Sequence, residues 1–247
     1  MISATPAIYF KFYYLSNIIL DVFSFFYSRP TLANHRMSLT RHLDPKHFPL
    51  FFLVVYSIPM IFLGLSDSVL QVDEGADTFI TTTILKFGFP MHSDGINSSM
   101  LFADIYDGLF VYRPWIPYYT QALSLSFLGQ TTFAARLPFA LIGILSIIFF
   151  YQFSLKFTGR QYIAFLAAFL LASSIPTLIY FRTARYVGMP ILLTVLLLNF
   201  YIDIYKDKKW SPFPITIVSI VFFHTMYVEF VGMITGVLIH FFIHIKE

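Results

Sequence analysis

Long stretches of this chain contain almost no residue that water would favour. Apolar runs fall at about 6–28, 48–65, 116–128, 133–155, 161–181, 187–205, 213–229 and 231–245, separated by short polar linkers. A membrane-spanning helix needs about 20 mostly apolar residues, and most of the runs approach that length. Charged residues make up 12% of the 247, about half of the ~25% typical of a soluble domain. Such a chain cannot cover itself with polar groups in water. Lipid removes that requirement, provided each backbone group is bonded within the protein, as it is in helices. The expected fold is therefore all-α, a polytopic membrane helix bundle of six or seven spans. The 31 Phe and 16 Tyr suit lipid contact and interfacial aromatic belts.

Several function classes drop out at once. With no Cys, structural disulfides and thiolate metal sites are excluded. The net charge of +3 reads as cytoplasmic anchoring by Lys and Arg, and no nucleic-acid partner is expected. The chain carries no Gly-rich phosphate loop, Ser nucleophile elbow or HExxH, and no internal repeat or low-complexity tract.

Charge sets the expected orientation. Arg36, Arg41 and Lys46 precede the run at 48–65, which places its start in the cytoplasm. The loop at 67–107 holds Asp67, Asp73, Glu74, Asp77, Asp94, Asp104 and Asp107 against one cation, Lys86, and belongs outside. The run at 116–128 is short and carries Tyr118, Tyr119, Thr120, Gln121, Ser124 and Ser126. If it lies in the interface or re-enters, the linkers with Lys156 and Arg160 and with Lys206, Lys208 and Lys209 both become cytoplasmic. Arg182, Arg185 and Tyr186 then return to the side of the acidic loop, so two sequence-distant polar clusters share one membrane face. The run at 6–28 contains Lys11 and Asp21, and each charge near a helix centre costs roughly 2.5–3.5 kcal/mol on insertion scales. Residues 1–47 are read as a separate N-terminal segment, either an extra hydrophobic helix or translation upstream of a start at Met37.

The acidic loop opens on Gln71-Val72-Asp73-Glu74-Gly75-Ala76-Asp77. Ala76, Ile80, Ile84 and Phe87 then recur at helical spacing, with Thr81, Thr82 and Thr83 towards the other side. This predicts an amphipathic interfacial helix, closed by Gly88 and Pro90. Asp73 and Glu74 at its start have two readings. They complement the helix N-terminus, or they supply a carboxylate that deprotonates an acceptor hydroxyl. Arg113, in Tyr112-Arg113-Pro114-Trp115, likewise reads as a snorkelling cation beside an aromatic belt or as a phosphate ligand. Arg182 and Arg185 oppose the charge bias of an outer face and call for an anionic partner. His240 and His244 form an i, i+4 pair with metal-ligand spacing, but their place near a helix end favours an interfacial role. Glu229 is expected near the outer interface, and His224 is one of few polar groups in the apolar runs. Asn97-Ser98-Ser99 fits a glycosylation sequon.

Taken in order, Asp73-Glu74, the amphipathic helix, Arg113-Pro114…Tyr118-Tyr119 and Leu128-Gly129…Phe133-Ala134-Ala135-Arg136-Leu137-Pro138 resemble the GT-C membrane glycosyltransferases. The similarity is to the branch of protein O-mannosyltransferases and lipid A aminoarabinose transferases. Phe181-Arg182-Thr183-Ala184-Arg185-Tyr186 occupies the place of that branch's next motif, and the likeness runs from about 50 to 205.

The resemblance implies transfer of a sugar from a polyprenyl-phosphate donor to a lipid, glycan or protein acceptor on the non-cytoplasmic face. On that basis Asp73 is the base or acceptor-orienting group, with Glu74 its catalytic neighbour. Arg113, Arg182 and Arg185 bind the donor phosphate, and Tyr118, Arg136 and Tyr186 position the site. The implied setting is a multi-pass protein, in the plasma (inner) membrane if bacterial, among membrane lipids. The chain departs from the family in two places. Tyr186-Val187-Gly188 stands where some members carry an acid, so no metal or other cofactor is expected. Arg113-Pro114-Trp115 replaces Lys-Pro-Pro. Relatives are typically about twice as long, so residues 48–247 are read as a GT-C-like transmembrane module, corresponding to an N-terminal half and including an outer loop at 67–132. The rival readings are a non-catalytic fragment or subunit and a transporter for a lipid-linked substrate.

Overall fold

The structure is a computed structural model that describes residues 48–98, 108–205 and 212–244. The run at 6–28, the alternative start at Met37, the cations Arg36, Arg41 and Lys46, and the linker with Lys206, Lys208 and Lys209 lie outside the described residues. So do Ser99 of the sequon and the loop acids Asp104 and Asp107. The described helices belong to one compact unit, Pro45–Glu247. They are α1 (Phe48–Phe62), α2 (Val72–Phe87), α3 (Ile116–Leu128), α4 (Thr132–Thr158), α5 (Gln161–Ser173), α6 (Ile175–Arg182), α7 (Gly188–Tyr205), α8 (Pro212–Phe223) and α9 (Tyr227–His244). Among the described residues, extended pairing is limited to two isolated bridges, Met91 with Leu109 and Ser93 with Ser98. The described residues are thus all-helical, as expected.

α4 is the central post, in contact with α1, α3, α5, α6 and α7. Its ends follow from local chemistry. The Thr131 hydroxyl accepts from the Ala134 N–H at 3.1 Å, and Gly159 closes the helix at φ 67°, where a side chain would be strained. Pro138 lies inside the helix and lacks an N–H for the carbonyl four residues back. That carbonyl, on Ala134, accepts instead from the Ser124 hydroxyl of α3 at 2.6 Å. Small residues line the post, and the fully buried Phe181 of α6 rests on Gly143. Close approach of this kind is how helices associate in lipid, where no hydrophobic force separates tail from side chain.

Among the described residues three helices, α4, α7 and α9, are long and apolar enough to cross a membrane, with a fourth crossing if α5 and α6 count as one broken span. Of the six or seven spans expected, the described residues supply three or four candidates by length and composition. α1, at 15 residues, reaches about 22 Å at 1.5 Å per residue, short of a hydrocarbon core about 30 Å thick. The apolar run at 161–181 is not one straight helix: α5 and α6 meet at 63°. Ser174 is extended between them and Pro176 opens α6, so the ladder is interrupted where a proline demands it. The run at 213–229 likewise stops at Phe223, and Glu229 falls in the first turn of α9. α9 lies at the periphery, with 6% of its apolar window buried.

α2 departs from the amphipathic helix expected of it. Ile80 and Ile84 are buried, but so are Glu74, Asp77, Thr81 and Thr83, while Ala76 and Phe87 are exposed. Its inner face is thus a stripe of carboxylates and hydroxyls, tolerable only because each finds a partner on another segment. Gly88 ends the helix at φ 81° with its N–H on the Ile84 carbonyl, where the sequence placed the stop.

Candidate functional site

The polar face of α2 meets α3, the start of α4 and the segment after α6 at one end of the bundle. Glu74 is fully buried there. Its carboxylate accepts from Arg136 Nε at 2.8 Å and Nη2 at 2.7 Å, from the Ala184 N–H at 2.6 Å and from the Gln71 N–H at 2.9 Å. Burial pushes this carboxyl up. The Arg136 guanidinium and the two backbone donors outweigh it and hold the group below its ordinary value. Arg136 also donates to the carbonyls of Leu65, Ser68 and Val69 and to the Ser68 hydroxyl. One guanidinium therefore ties α4 to α2 and to the whole α1–α2 turn. Gln121 adds a second tie, accepting from Thr81 and donating to Thr78 and the Ala135 carbonyl.

One turn along α2, Asp77 Oδ1 accepts from Arg113 Nη1 at 2.7 Å and from the Tyr118 hydroxyl at 3.1 Å. Asp77 Oδ2 is buried and has no partner among the described residues. Burial raises the Asp77 carboxyl above its ordinary value, against the opposing pull of Arg113 and the Tyr118 hydroxyl. The same burial raises the Tyr118 phenol, so it remains a donor. The guanidinium of Arg113 also lies over the Tyr186 ring at 4.9 Å. Arg185 approaches that ring at 5.8 Å and pairs with Asp73 at 2.9 Å. Arg185 Nε is buried without a partner among the described residues. The result is a neutral quartet, Asp73–Arg185 and Asp77–Arg113, gathered around one tyrosine. Within it a cationic donor and a carboxylate oxygen are left unclaimed.

The quartet, with Tyr186 at its centre and Tyr118 on Asp77, brings together Asp73, Arg113, Tyr118, Arg185 and Tyr186, which the sequence nominated from three separate segments. Asp73 is the exposed member, with 64% of its side chain accessible. Glu74 is held in a packed lock with Arg136 and is reached by no solvent. Arg182 has a different partner from its neighbour. It donates to the Met60 and Leu63 carbonyls at 2.8 and 2.7 Å, closing the C-terminal end of α1 as cations do. Asp77 and Gln121 were not singled out by sequence. The available signal was spacing, since Asp77 follows Asp73 by one helical turn and so shares its face.

Two open clefts adjoin the quartet. The first, about 390 Å³, is walled by Phe150, Leu171, Pro190, Ile191 and Val195, and Tyr186 and Glu229 line it. The second, about 480 Å³, is lined by Arg113, Trp115, Tyr119, His224 and Tyr227. Among the described residues no three His, Asp or Glu side chains converge in a way that would hold a metal ion. His240 instead bonds the Tyr201 hydroxyl at 2.6 Å and stacks on His244 at 4.3 Å. Comparison with protein-family models, with curated proteins and with solved structures finds no match to this chain.

Proposed function

We propose that this protein is a GT-C-like membrane glycosyltransferase that moves a sugar from a polyprenyl-phosphate donor to an acceptor at the non-cytoplasmic face. The observation that carries the reading is the Arg113–Tyr186–Arg185 cluster with Asp73 at its edge, set between an apolar cleft and an aromatic one. Guanidinium is the side chain best matched to phosphate oxygens. The apolar cleft falls within the size range of small-ligand sites and suits an isoprenoid chain. Asp73 is exposed beside the cations, where an acceptor can reach it.

In this reading the acceptor hydroxyl oxygen attacks the anomeric carbon as the bond from that carbon to the phosphate oxygen breaks. The hydroxyl proton passes to Asp73, and the electron pair leaves with the polyprenyl phosphate, whose growing charge Arg113 and Arg185 stabilise. Binding of an anion to Arg185 competes with the Asp73 ion pair and so releases the carboxylate as the donor enters. Glu74 and Arg136 hold α2 in register, and Tyr118 with Asp77 holds Arg113. Arg182 acts as a clamp on α1 rather than as a phosphate ligand.

The test is transfer of radiolabelled sugar from a panel of polyprenyl-phosphate donors in membranes, with wild type and Asp73→Asn at matched expression. Wild-type transfer is expected, with a loss of about 100-fold or more in the variant, the scale of general-base catalysis. Equal activity in both removes Asp73 from the chemistry, and no transfer with any donor overturns the enzyme reading.

A further inference from the structure

The second cleft is built by two segments far apart in sequence, Val111–Tyr119 and the turn from α8 into α9. Two of its aromatic side chains have their polar tips engaged elsewhere. Trp115 Nε1 donates to the Phe110 carbonyl at 2.7 Å, and the Tyr119 hydroxyl donates to the Gly88 carbonyl at 2.9 Å. What these residues offer the cleft is ring surface held in a fixed orientation. The polar groups come from Arg113, His224 and Tyr227. The side chains of His224 and Tyr227 have no polar partner among the described residues, and they touch Phe223 through their rings, at 5.3 and 5.1 Å. Among the described residues that line the cleft, none is acidic.

A cleft with flat aromatic walls, two hydrogen-bonding side chains and one guanidinium suits a ring that carries both hydroxyl groups and an anion. Its relation to the apolar cleft narrows the ligand further. Arg113 lines the aromatic cleft, Tyr186 lines the apolar one, and the two stack at 4.9 Å. A phosphate at that boundary has an apolar channel on one side and an aromatic, hydroxyl-binding pocket on the other.

We infer that the Trp115–His224–Tyr227 cleft is the sugar subsite, which takes the glycosyl ring of a sugar phosphate whose phosphate lies on Arg113. This rests on the transferase reading for its biological context, and it adds the α8–α9 turn, outside the segment that carries the family likeness, to the site. Tyr227 and His224 are exposed, so truncating them opens no core. They act as specificity and affinity groups for the sugar.

The chain has two Trp, so Trp210→Phe leaves Trp115 as the sole indole reporter in the cleft. The detergent-solubilised Trp210→Phe protein is titrated with glucosyl, mannosyl, galactosyl and arabinosyl phosphates. Inorganic phosphate and uridine monophosphate serve as comparison ligands. At least one sugar phosphate is expected to change Trp115 fluorescence saturably, about tenfold or more tighter than inorganic phosphate, with Tyr227→Ala and His224→Ala each weakening it by a similar factor. Three results overturn the inference: no saturable response to any sugar phosphate, a response no tighter than that to inorganic phosphate, or a tighter one to uridine monophosphate. Sugar transfer is measured on the same preparation. Transfer with a silent Trp115 removes the subsite and leaves the enzyme. A Tyr227-dependent response without transfer from any lipid donor leaves the subsite and removes the enzyme.

Discussion

Arg136 keeps 5% of its side chain accessible and spends its donors on a buried carboxylate and on four oxygens of the α1–α2 turn. Removing the charge of Glu74 leaves that cation uncompensated in the interior. Glu74→Gln is therefore expected to cost about 3–5 kcal/mol, read as a lower melting temperature of the purified protein at neutral pH. The pH dependence has a defined sign. The Glu74 carboxyl is held below its ordinary 4.5, so its contribution is present above that value and is lost as pH falls through the lower folded value. The gap between wild type and Glu74→Gln should narrow in that acidic window, and a constant gap would rule out the charge as the cause. Asp77 acts in the opposite sense, because its raised carboxyl favours folding while protonated and loses that contribution as pH rises. A paired apolar replacement of Glu74 and Arg136 would not restore stability, since the turn carbonyls lose their donor as well.

Helices in this chain are ended and bent by identifiable residues, and their separation is set by the smallest ones. Pro138 frees a carbonyl that Ser124 takes up, and Pro176 opens α6 beyond a 63° bend. A Cβ on Gly143 would come within 2.5 Å of the Phe181 ring, whereas one on Gly75 would meet nothing within 4 Å. Gly143→Ala should thus destabilise by about 1–3 kcal/mol through overpacking. Gly75→Ala should be neutral or gain up to about 1 kcal/mol from helix propensity. Thermal melts of the two variants in one detergent check this contrast, and equal behaviour would mean that α4 and α6 do not meet as described. The buried polar stripe of α2 belongs to this scale too, because it orders the quartet while α3 and α4 shield it.

For the whole molecule, the quartet lies towards the end of the bundle where α4 begins, and the apolar cleft runs from Tyr186 along α7 to Val195 and Phe150. The Lys156–Asp203 ion pair, at 2.7 Å, joins α4 to α7 towards the other end. The absence of Cys makes sidedness directly measurable. Ile96, exposed in the loop after α2, is expected to react as Ile96→Cys with a membrane-impermeant maleimide on intact cells. Lys208→Cys is expected to react only after permeabilisation. The reverse pattern would put the quartet in the cytoplasm and remove the proposed outer-face donor.

Much of the secondary structure was legible in the residues. The boundaries of α3, the Gly88 stop of α2 and the helical character of the chain follow from apolar run length and from Gly and Pro chemistry, which act within a few residues. The sequence also nominated Asp73 as a carboxylate at a helix start, Arg113 as a candidate phosphate ligand, Arg182 and Arg185 as cations against the local charge bias, and Tyr186 through the family resemblance. It did not reveal which acid meets which cation. Glu74 pairs with Arg136 across 62 residues and Asp77 with Arg113 across 36. Periodicity records apolar burial along one helix, so a helix whose inner face is charged reads as though that face were solvated. Whether a carboxylate is exposed as a reactant or locked as a structural tie depends on donors supplied by other segments. For that reason the tertiary structure alone separated Asp73 from Glu74 and Arg185 from Arg182, and placed Asp77 beside Arg113.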